Sequence, residues 1–445
     1  MMRRSEFDRE ISRIAIPALG TLVADPVVSL VDTAFVGRIG VPELGALAVA
    51  TAAFGVAFFL FNFLSYGVTP YVANAHAAGD TQRASQLIIA GLFAAVALGV
   101  ASSAILIAGV GPILDLMGAT ADVVVPASTY LEIRALALPA LLIVLVGHGA
   151  FRGYQDTKTP LWVSIGISVV NLVLDPLLIY GLDWGIAGAA WATVIAQWVG
   201  AGAFLWLLLV RNREDLGIER VRPTRRDFGK LFGAGWALIV RTAALVLAFT
   251  MATAVAARLG TVVVAAHQVA FQLWIFLALV VDALAIAGQA LIGKYLGSAY
   301  PARAKVVAER LLGLGIYVGF GLALLLAALR PLLPGIFTDD PEVITAVLSV
   351  YGFVVLMQPM NALVFVWDGV LIGAEAFRYL AGAMASVSAV TAVMLLGVLQ
   401  FDWGLQGVWW AIVVLLAGRI VTLWAWHLRW RPEVLPDHDL VSREG

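Results

Sequence analysis

The sequence contains no cysteine and few charged residues. Without a thiol, the chain can form no disulfide, cysteine nucleophile or cysteine metal site. Only 13% of the 445 residues are charged, whereas 62% are hydrophobic, and the mean hydropathy is +0.95. A soluble domain could not bury this much apolar surface. A net charge of −1 offers no basic surface for nucleic acid. The composition therefore predicts an all-α polytopic membrane protein.

Long apolar runs recur along the whole chain, separated by segments rich in glycine, proline or charge. A helix needs about 20 apolar residues to cross a bilayer. The start of the chain is charged and leads directly into the first run, so we expect the N-terminus to be retained rather than cleaved as a signal peptide. Twelve runs are predicted to be transmembrane helices: 14–37, 46–75, 86–110, 123–149, 160–181, 186–210, 231–257, 262–293, 306–329, 343–370, 376–400 and 404–427.

The distribution of Lys and Arg predicts the topology. Most of the 28 basic residues lie at the N-terminus, in the even-numbered loops and in the tail, which places both termini in the cytoplasm of a cell inner membrane. The loop 211–230 is the longest and most basic. We therefore predict an N-terminal six-helix lobe at 1–210, a cytoplasmic linker at 211–230, a C-terminal six-helix lobe at 231–427 and a cytoplasmic tail at 428–445.

The two halves of the chain resemble each other at a nearly constant offset. GAFRG at 149–153 matches GVLIG at 369–373, and VGRIG at 36–40 matches AARLG at 256–260, so both pairs have the same separation. LDWGIAGAAWAT at 182–193 matches FDWGLQGVWWAI at 401–412, at a separation that is shorter by a single position. Six spans return the chain to its starting side, so the copies share one orientation. This predicts lobes related by a pseudo-two-fold axis along the membrane normal.

Polar residues within the first-half spans form a candidate ion site. A charged side chain at membrane depth costs about 2.5–3.5 kcal/mol on insertion scales, so such residues are usually functional. Asp32 lies in the first span, and Asn171 and Asp175 share one face of the fifth. Pro176 should kink that helix and free a carbonyl. Thr193 and Tyr130 could add hydroxyl groups. These oxygen ligands suit Na⁺ or H⁺; the alternative is hydrogen bonding between helices alone.

The remaining intramembrane charges have less definite roles. Asp25 shares a face of the first span with Asp32. Arg241 could neutralise either Asp282 or Asp368. We interpret the pairing of this arginine with one of the two aspartates as a structural ion pair. Glu132 and Arg134 are expected to lie near a span end and to extend toward the membrane surface.

The sequence is similar to the multidrug and toxic compound extrusion (MATE) family, and most to its branch typified by the DNA-damage-inducible protein F (DinF). The stretches that carry the resemblance are DPVVSLVDTAFVGRIG at 25–40, NLVLDPLLIYGLDWGIAGAAWAT at 171–193 and NALVFVWDGVLIG at 361–373. The resemblance implies two six-helix lobes forming a V-shaped cleft. It also places the coupling acid at Asp32, the Asn-x-x-x-Asp pair at Asn171 and Asp175, and the sixth-helix hydroxyl at Thr193; Tyr130 matches less closely.

These patterns predict a secondary antiporter rather than an enzyme. The sequence has no ATP-binding P-loop, so H⁺ or Na⁺ entry would drive export of organic compounds, expected to be lipophilic cations. We expect no cofactor beyond the coupling ion and no partner beyond the substrate and the bilayer, with the chain acting as a monomer. The alternatives are an organic-anion exporter or a lipid-precursor flippase. The flippase would need a strongly cationic cleft. An intramembrane protease or acyltransferase is a further, weaker rival.

Overall fold

The computed structural model describes residues 4–117, 121–214, 216–218 and 221–432, and the regular structure within them is entirely helical. Short π-helical turns, Leu177–Gly181 and Leu207–Arg211, directly follow the α-helices that end at Pro176 and Trp206. The α-helices of the described residues are α1 (Arg4–Val36), α2 (Val41–Phe61), α3 (Phe63–Ala77), α4 (Thr81–Ala108), α5 (Val110–Leu116), α6 (Ala121–Ala135), α7 (Leu138–Gly153), α8 (Lys158–Pro176), α9 (Gly185–Trp206), α10 (Arg225–Leu259), α11 (Thr261–Gly297), α12 (Ala302–Leu329), α13 (Leu333–Phe337), α14 (Pro341–Leu356), α15 (Gln358–Gly373), α16 (Phe377–Gln400) and α17 (Gly404–Arg429).

The helices agree with the predicted membrane spans. Within the described residues, nine helical stretches are long and apolar enough to cross a membrane, and two bent pairs, α6–α7 and α14–α15, raise the number to eleven. The remaining predicted span, 46–75, falls on α2 and α3, which separate at Asn62. The predicted all-α membrane fold is therefore confirmed.

The described residues pack as two compact units. The first unit lies within Ile16–Gly235, and the second lies within Met1–Ala15 and Trp236–Gly445. The division therefore falls inside α1 and near the start of α10. Of the predicted linker 211–230, residues 215, 219 and 220 lie outside the described part of the chain, as do residues 433–445 of the predicted tail.

The sequence repeat is visible in the backbone. Among the described residues, four non-glycine residues have positive φ, a conformation that L-residues rarely adopt, and they form two pairs related by the repeat. Gln155 and Glu375 both have φ of 58°, and Asp183 and Asp402 both have φ of 55°. The turns after α7 and α15, and those before α9 and α17, therefore follow the same path.

Both units also contain one helix pair that bends at the same place. The angle between α6 and α7 and that between α14 and α15 are each 49°. Pro139 and Pro359 lie in the first turn after each bend and have no N–H to donate to the preceding helix. In the first unit, the hydroxyl of Ser103 donates instead to the carbonyl of Ala135, at 2.6 Å. A buried carbonyl that the proline leaves open is thus satisfied from α4.

A close approach of backbones accompanies each bend. A Cβ added at Gly99 on α4 would overlap the Cα of Pro139. The equivalent Cβ at Gly319 on α12 would lie 2.6 Å from the Cα of Pro359. Only glycine fits either position without a shift of the neighbouring helix. Both bends therefore pack in the same way, with a glycine against the proline backbone.

Candidate ion-coupling site

Helix α8 carries two of the predicted site residues on one face. Asn171 and Asp175 are one helical turn apart, and they are 1% and 0% exposed. The amide nitrogen of Asn171 donates to the hydroxyl of Thr193 on α9, at 3.4 Å. That hydroxyl in turn donates to the carbonyl of Ala189, at 3.0 Å. The amide nitrogen is therefore engaged, whereas the amide oxygen has no partner among the described residues.

The helix changes its geometry directly after these residues. Pro176 cannot donate to the carbonyl of Leu172, and the chain continues as the π-helical turn Leu177–Gly181. The sequence predicted a kink at this proline; the structure shows a π turn. Within it, the hydroxyl of Tyr180 donates to the carbonyl of Phe35 on α1, at 2.7 Å. Turns of this kind inside helices are frequent at functional sites.

Helix α1 contributes a third side chain, Asp32, beside Asn171 and Asp175. The half-buried Asp32 lies within hydrogen-bonding reach of the carboxyl group of Asp175. Two carboxylates both accept hydrogen bonds, so a proton or a cation is needed to join them. Among the described residues no donor reaches Oδ1 of Asp32, Oδ1 of Asn171 or either carboxylate oxygen of Asp175. The structure thus brings together four buried oxygen atoms that lack a donor.

Two further side chains lie beside the acids. Tyr130 on α6 is 4% exposed, and its hydroxyl interacts with the guanidinium of Arg134. Arg134 also acts electrostatically on Asp32, and its guanidinium carbon lies 5.0 Å from the ring centre of Phe54. Arg134 therefore lies against groups of the first unit, and its extension toward the membrane surface stays a prediction.

The second unit contains a separate charged cluster. Asp368 on α15 accepts hydrogen bonds from Arg241 on α10 and from Arg419 on α17. The structure thus pairs Arg241 with Asp368, and it adds Arg419, which the sequence analysis did not pair with either aspartate. Asp282 is half-buried on α11. The side chain of Asp25 lies outside the described part of the structure.

Comparison with known proteins identifies the chain. The MatE family model matches residues 17–177 and, a second time, residues 237–398. The chain belongs to the multidrug and toxic compound extrusion (MATE) family. The starts of the two matches, at positions 17 and 237, have the separation of the sequence repeat, so the MATE model itself follows the duplication.

Curated MATE relatives cover nearly the whole chain. The Arabidopsis thaliana protein DETOXIFICATION 44, chloroplastic, is 36% identical over 434 residues, which is 94% of this chain and 82% of the relative. The Escherichia coli DNA damage-inducible protein F is 30% identical over 442 residues, or 95% and 93%. A solved structure of a MATE protein in the bent conformation superposes with a TM-score of 0.86 at 20% identity, covering 96% of this chain and 95% of that one.

Family membership confirms the resemblance inferred from the sequence. The chain is a MATE membrane transporter of the type that exports drugs and toxic compounds, and it is not an enzyme. The solved MATE structures also share its all-helical two-lobe fold.

Proposed function

We propose that this MATE protein is a secondary antiporter that exports organic compounds in exchange for H⁺ or Na⁺ by alternating access. The observation that carries the proposal is the group of four donor-free buried oxygens on Asp32, Asn171 and Asp175. Carboxylate and amide oxygens are hard ligands that suit Na⁺, and the carboxylates alone can hold H⁺. Thr193 and Tyr130 complete the surroundings as orienting hydroxyl groups.

Charge balance supports a single monovalent coupling ion. Asp32 and Asp175 together carry −2 when ionised, and Arg134 beside them carries +1. One H⁺ or one Na⁺ therefore neutralises the cluster. In a medium of low dielectric constant an uncompensated charge is costly, so the conformation that holds the cluster in dry protein should favour the ion-loaded state. An ion can shift the conformational equilibrium only through such a difference in affinity.

Helix α1 offers a route from ion binding to movement. Asp32 lies on the same helix as Pro26, which cannot donate to the carbonyl of Leu22. Prolines are the usual sites at which long helices bend. We propose that neutralising Asp32 and Asp175 changes the packing of α1 at this proline and lowers the affinity for substrate.

The proposed orientation places both termini in the cytoplasm of the inner membrane, because the basic residues are concentrated on that side of the predicted topology. Lipophilic organic cations remain the predicted substrates. An organic anion is the second candidate, because two arginines of the second unit, Arg241 and Arg419, lie within the predicted spans. A flippase finds less support, because the arginines within the spans, Arg134, Arg241 and Arg419, each lie close to an aspartate.

The proposal is tested by transport in proteoliposomes of the purified protein. Efflux of a lipophilic cationic dye is measured with a proton gradient and a sodium gradient imposed separately, for the wild type and for Asp32→Asn. We expect one gradient to drive efflux and the variant to reduce it to background while remaining folded. Asp183→Asn is the matched control, since Asp183 is exposed and asparagine tolerates its positive φ. Normal gradient-driven efflux by Asp32→Asn would overturn the coupling assignment.

A further inference from the structure

The first turns of α10 have a buried face and an exposed face. Asp227, Leu231 and Ala234 lie on the buried face, at 0%, 3% and 4% exposure. Arg225 and Phe232, which are about two helical turns apart, lie on the opposite face, and both are exposed. The predicted span begins at residue 231. The exposed face therefore carries an aromatic ring at the start of the apolar run and a guanidinium group just outside it.

Basic residues are concentrated in this segment. Arg222, Arg225, Arg226 and Lys230 are four basic residues within nine positions, and all four are exposed. We call these four residues the basic patch. The only acid in the sequence 221–235 is Asp227. Clusters of about four to eight Lys and Arg directly beside a transmembrane helix are typical of segments that bind anionic lipids.

Asp227 does not neutralise the patch, because both of its oxygens are already used. Oδ2 accepts hydrogen bonds from the backbone N–H and the hydroxyl of Thr224, each at 2.7 Å. Oδ1 accepts a hydrogen bond from Arg83 on α4. Among the described residues, no carboxylate forms an ion pair with Arg225 or Arg226. The start of α10 is thus fixed to the first unit while the patch keeps its charge.

The repeat shows that the patch is particular to α10. Glu6 and Glu10 of α1 occupy the positions of Arg226 and Lys230 in the other copy. Six spans separate the two helices, so both begin on the same side of the predicted topology. A general preference for basic residues on that side does not account for the patch, because one copy carries acids where the other carries bases.

We propose that the basic patch binds an anionic phospholipid of the leaflet at which α10 begins. The lipid phosphate lies against Arg225 and Arg226, whose planar guanidinium groups match the geometry of phosphate oxygens. The acyl chains lie along the exposed face that carries Phe232. A phospholipid with net negative charge matches both the charge of the patch and the apolar face below it, whereas a soluble phosphate would match only the charge.

The test measures lipid binding to the full-length protein in detergent by native mass spectrometry, without any ion gradient. The probe is dioleoylphosphatidylglycerol, and dioleoylphosphatidylcholine has the same chains without net charge. Glycerol 3-phosphate carries the phosphate without the chains. We expect the first phosphatidylglycerol to bind about tenfold more tightly than phosphatidylcholine, since each basic residue near an anionic lipid contributes about fivefold in affinity. Glycerol 3-phosphate at equal concentration should not displace it.

The variants separate the charge of the patch from charge elsewhere. The double variant Arg225→Gln, Arg226→Gln should lower the affinity for phosphatidylglycerol about tenfold and leave that for phosphatidylcholine unchanged. Lysine at both positions keeps the charge and should remain within about threefold of the wild type. Arg226→Glu, which introduces the acid of the other copy, covers the case in which the double variant does not fold. The matched control is Arg258→Gln, Arg330→Gln, which removes two exposed arginines outside the patch and should change neither affinity.

Several results would overturn the proposal. These are equal affinity of the wild type for the two lipids, displacement by equimolar glycerol 3-phosphate, an equal loss in the control variant, or unchanged affinity in folded Arg225→Gln, Arg226→Gln or Arg226→Glu. Asp32→Asn keeps this result separate from the coupling assignment. It should bind phosphatidylglycerol as the wild type does, because its substitution lies outside the patch, while losing gradient-driven transport.

Discussion

In the first unit two aspartates lie beside one arginine, whereas in the second unit two arginines share one aspartate. The helices that carry these clusters belong to the same repeat, but the charges do not occur at matching positions. By the offset that relates position 155 to position 375, Asp32 corresponds to Ala252 and Asp368 corresponds to His148. The duplicated backbone therefore fixes helix packing, while buried charge was free to diverge.

The largest expected effect comes from removing the shared acid of the second cluster. Asp368→Ala leaves Arg241 and Arg419 buried without their counter-ion, and breaking a buried pair in this way costs about 3–5 kcal/mol in unfolding free energy. Chemical denaturation of the purified protein in micelles would measure it. The triple variant Arg241→Met, Asp368→Leu, Arg419→Met should be close to the wild type in stability. Comparable destabilisation by the single and the triple variants would contradict this explanation.

The shared helix packing should be equally sensitive in both units. Gly99→Ala and Gly319→Ala each force a methyl group against the backbone of a proline, and overpacking of this kind costs about 1–3 kcal/mol. The same denaturation experiment should give similar losses for the two variants. Gly321→Ala is the control: a Cβ there meets no neighbour within 4 Å, and alanine favours helix over glycine. A loss at only one of the two sites would show that the bends are not equivalent.

Within the first cluster, Asn171→Ala should weaken coupling-ion binding by about tenfold, or about 1.4 kcal/mol. The variant removes one of the four donor-free oxygens but leaves both carboxylates. The readout is the concentration of the driving ion at half-maximal efflux. An unchanged value would remove Asn171 from the ion site and leave it a helix-packing role.

Thr193→Val should have the smallest effect, less than about threefold on the same concentration. The hydroxyl of Thr193 already donates to Ala189, so it orients the amide of Asn171 rather than holding the ion itself. Valine has nearly the same shape, which keeps the packing of α9. A tenfold change would instead assign the hydroxyl oxygen to the ion.

Sequence reasoning succeeded where the relevant contacts are local. Helical spacing placed Asn171 and Asp175 on one face, and the repeat located the second copy. It was less successful for contacts between distant helices. Arg419 and Asp368 lie on different helices and pair only because α17 packs beside α15. Arg134 and Asp32, which interact electrostatically, are also far apart in the sequence. The sequence also did not predict the bend at Met357. Pro359, just beyond it, is compatible with a continuous span as well as with a broken one.

The π turn after Pro176 lies in a stretch where the two copies differ in length. The stretch from Gln155 to Asp183 is longer by a single residue than the equivalent stretch from Glu375 to Asp402. Helix α16 is α-helical throughout, while its counterpart α8 ends in the π turn. A π turn accommodates one additional residue within a helix. Each residue of an α-helix turns the chain by about 100°. Deleting one residue of the π turn would therefore rotate Asp175 relative to the helix that follows, α9. The π turn thus sets the orientation of the candidate ion site relative to α9.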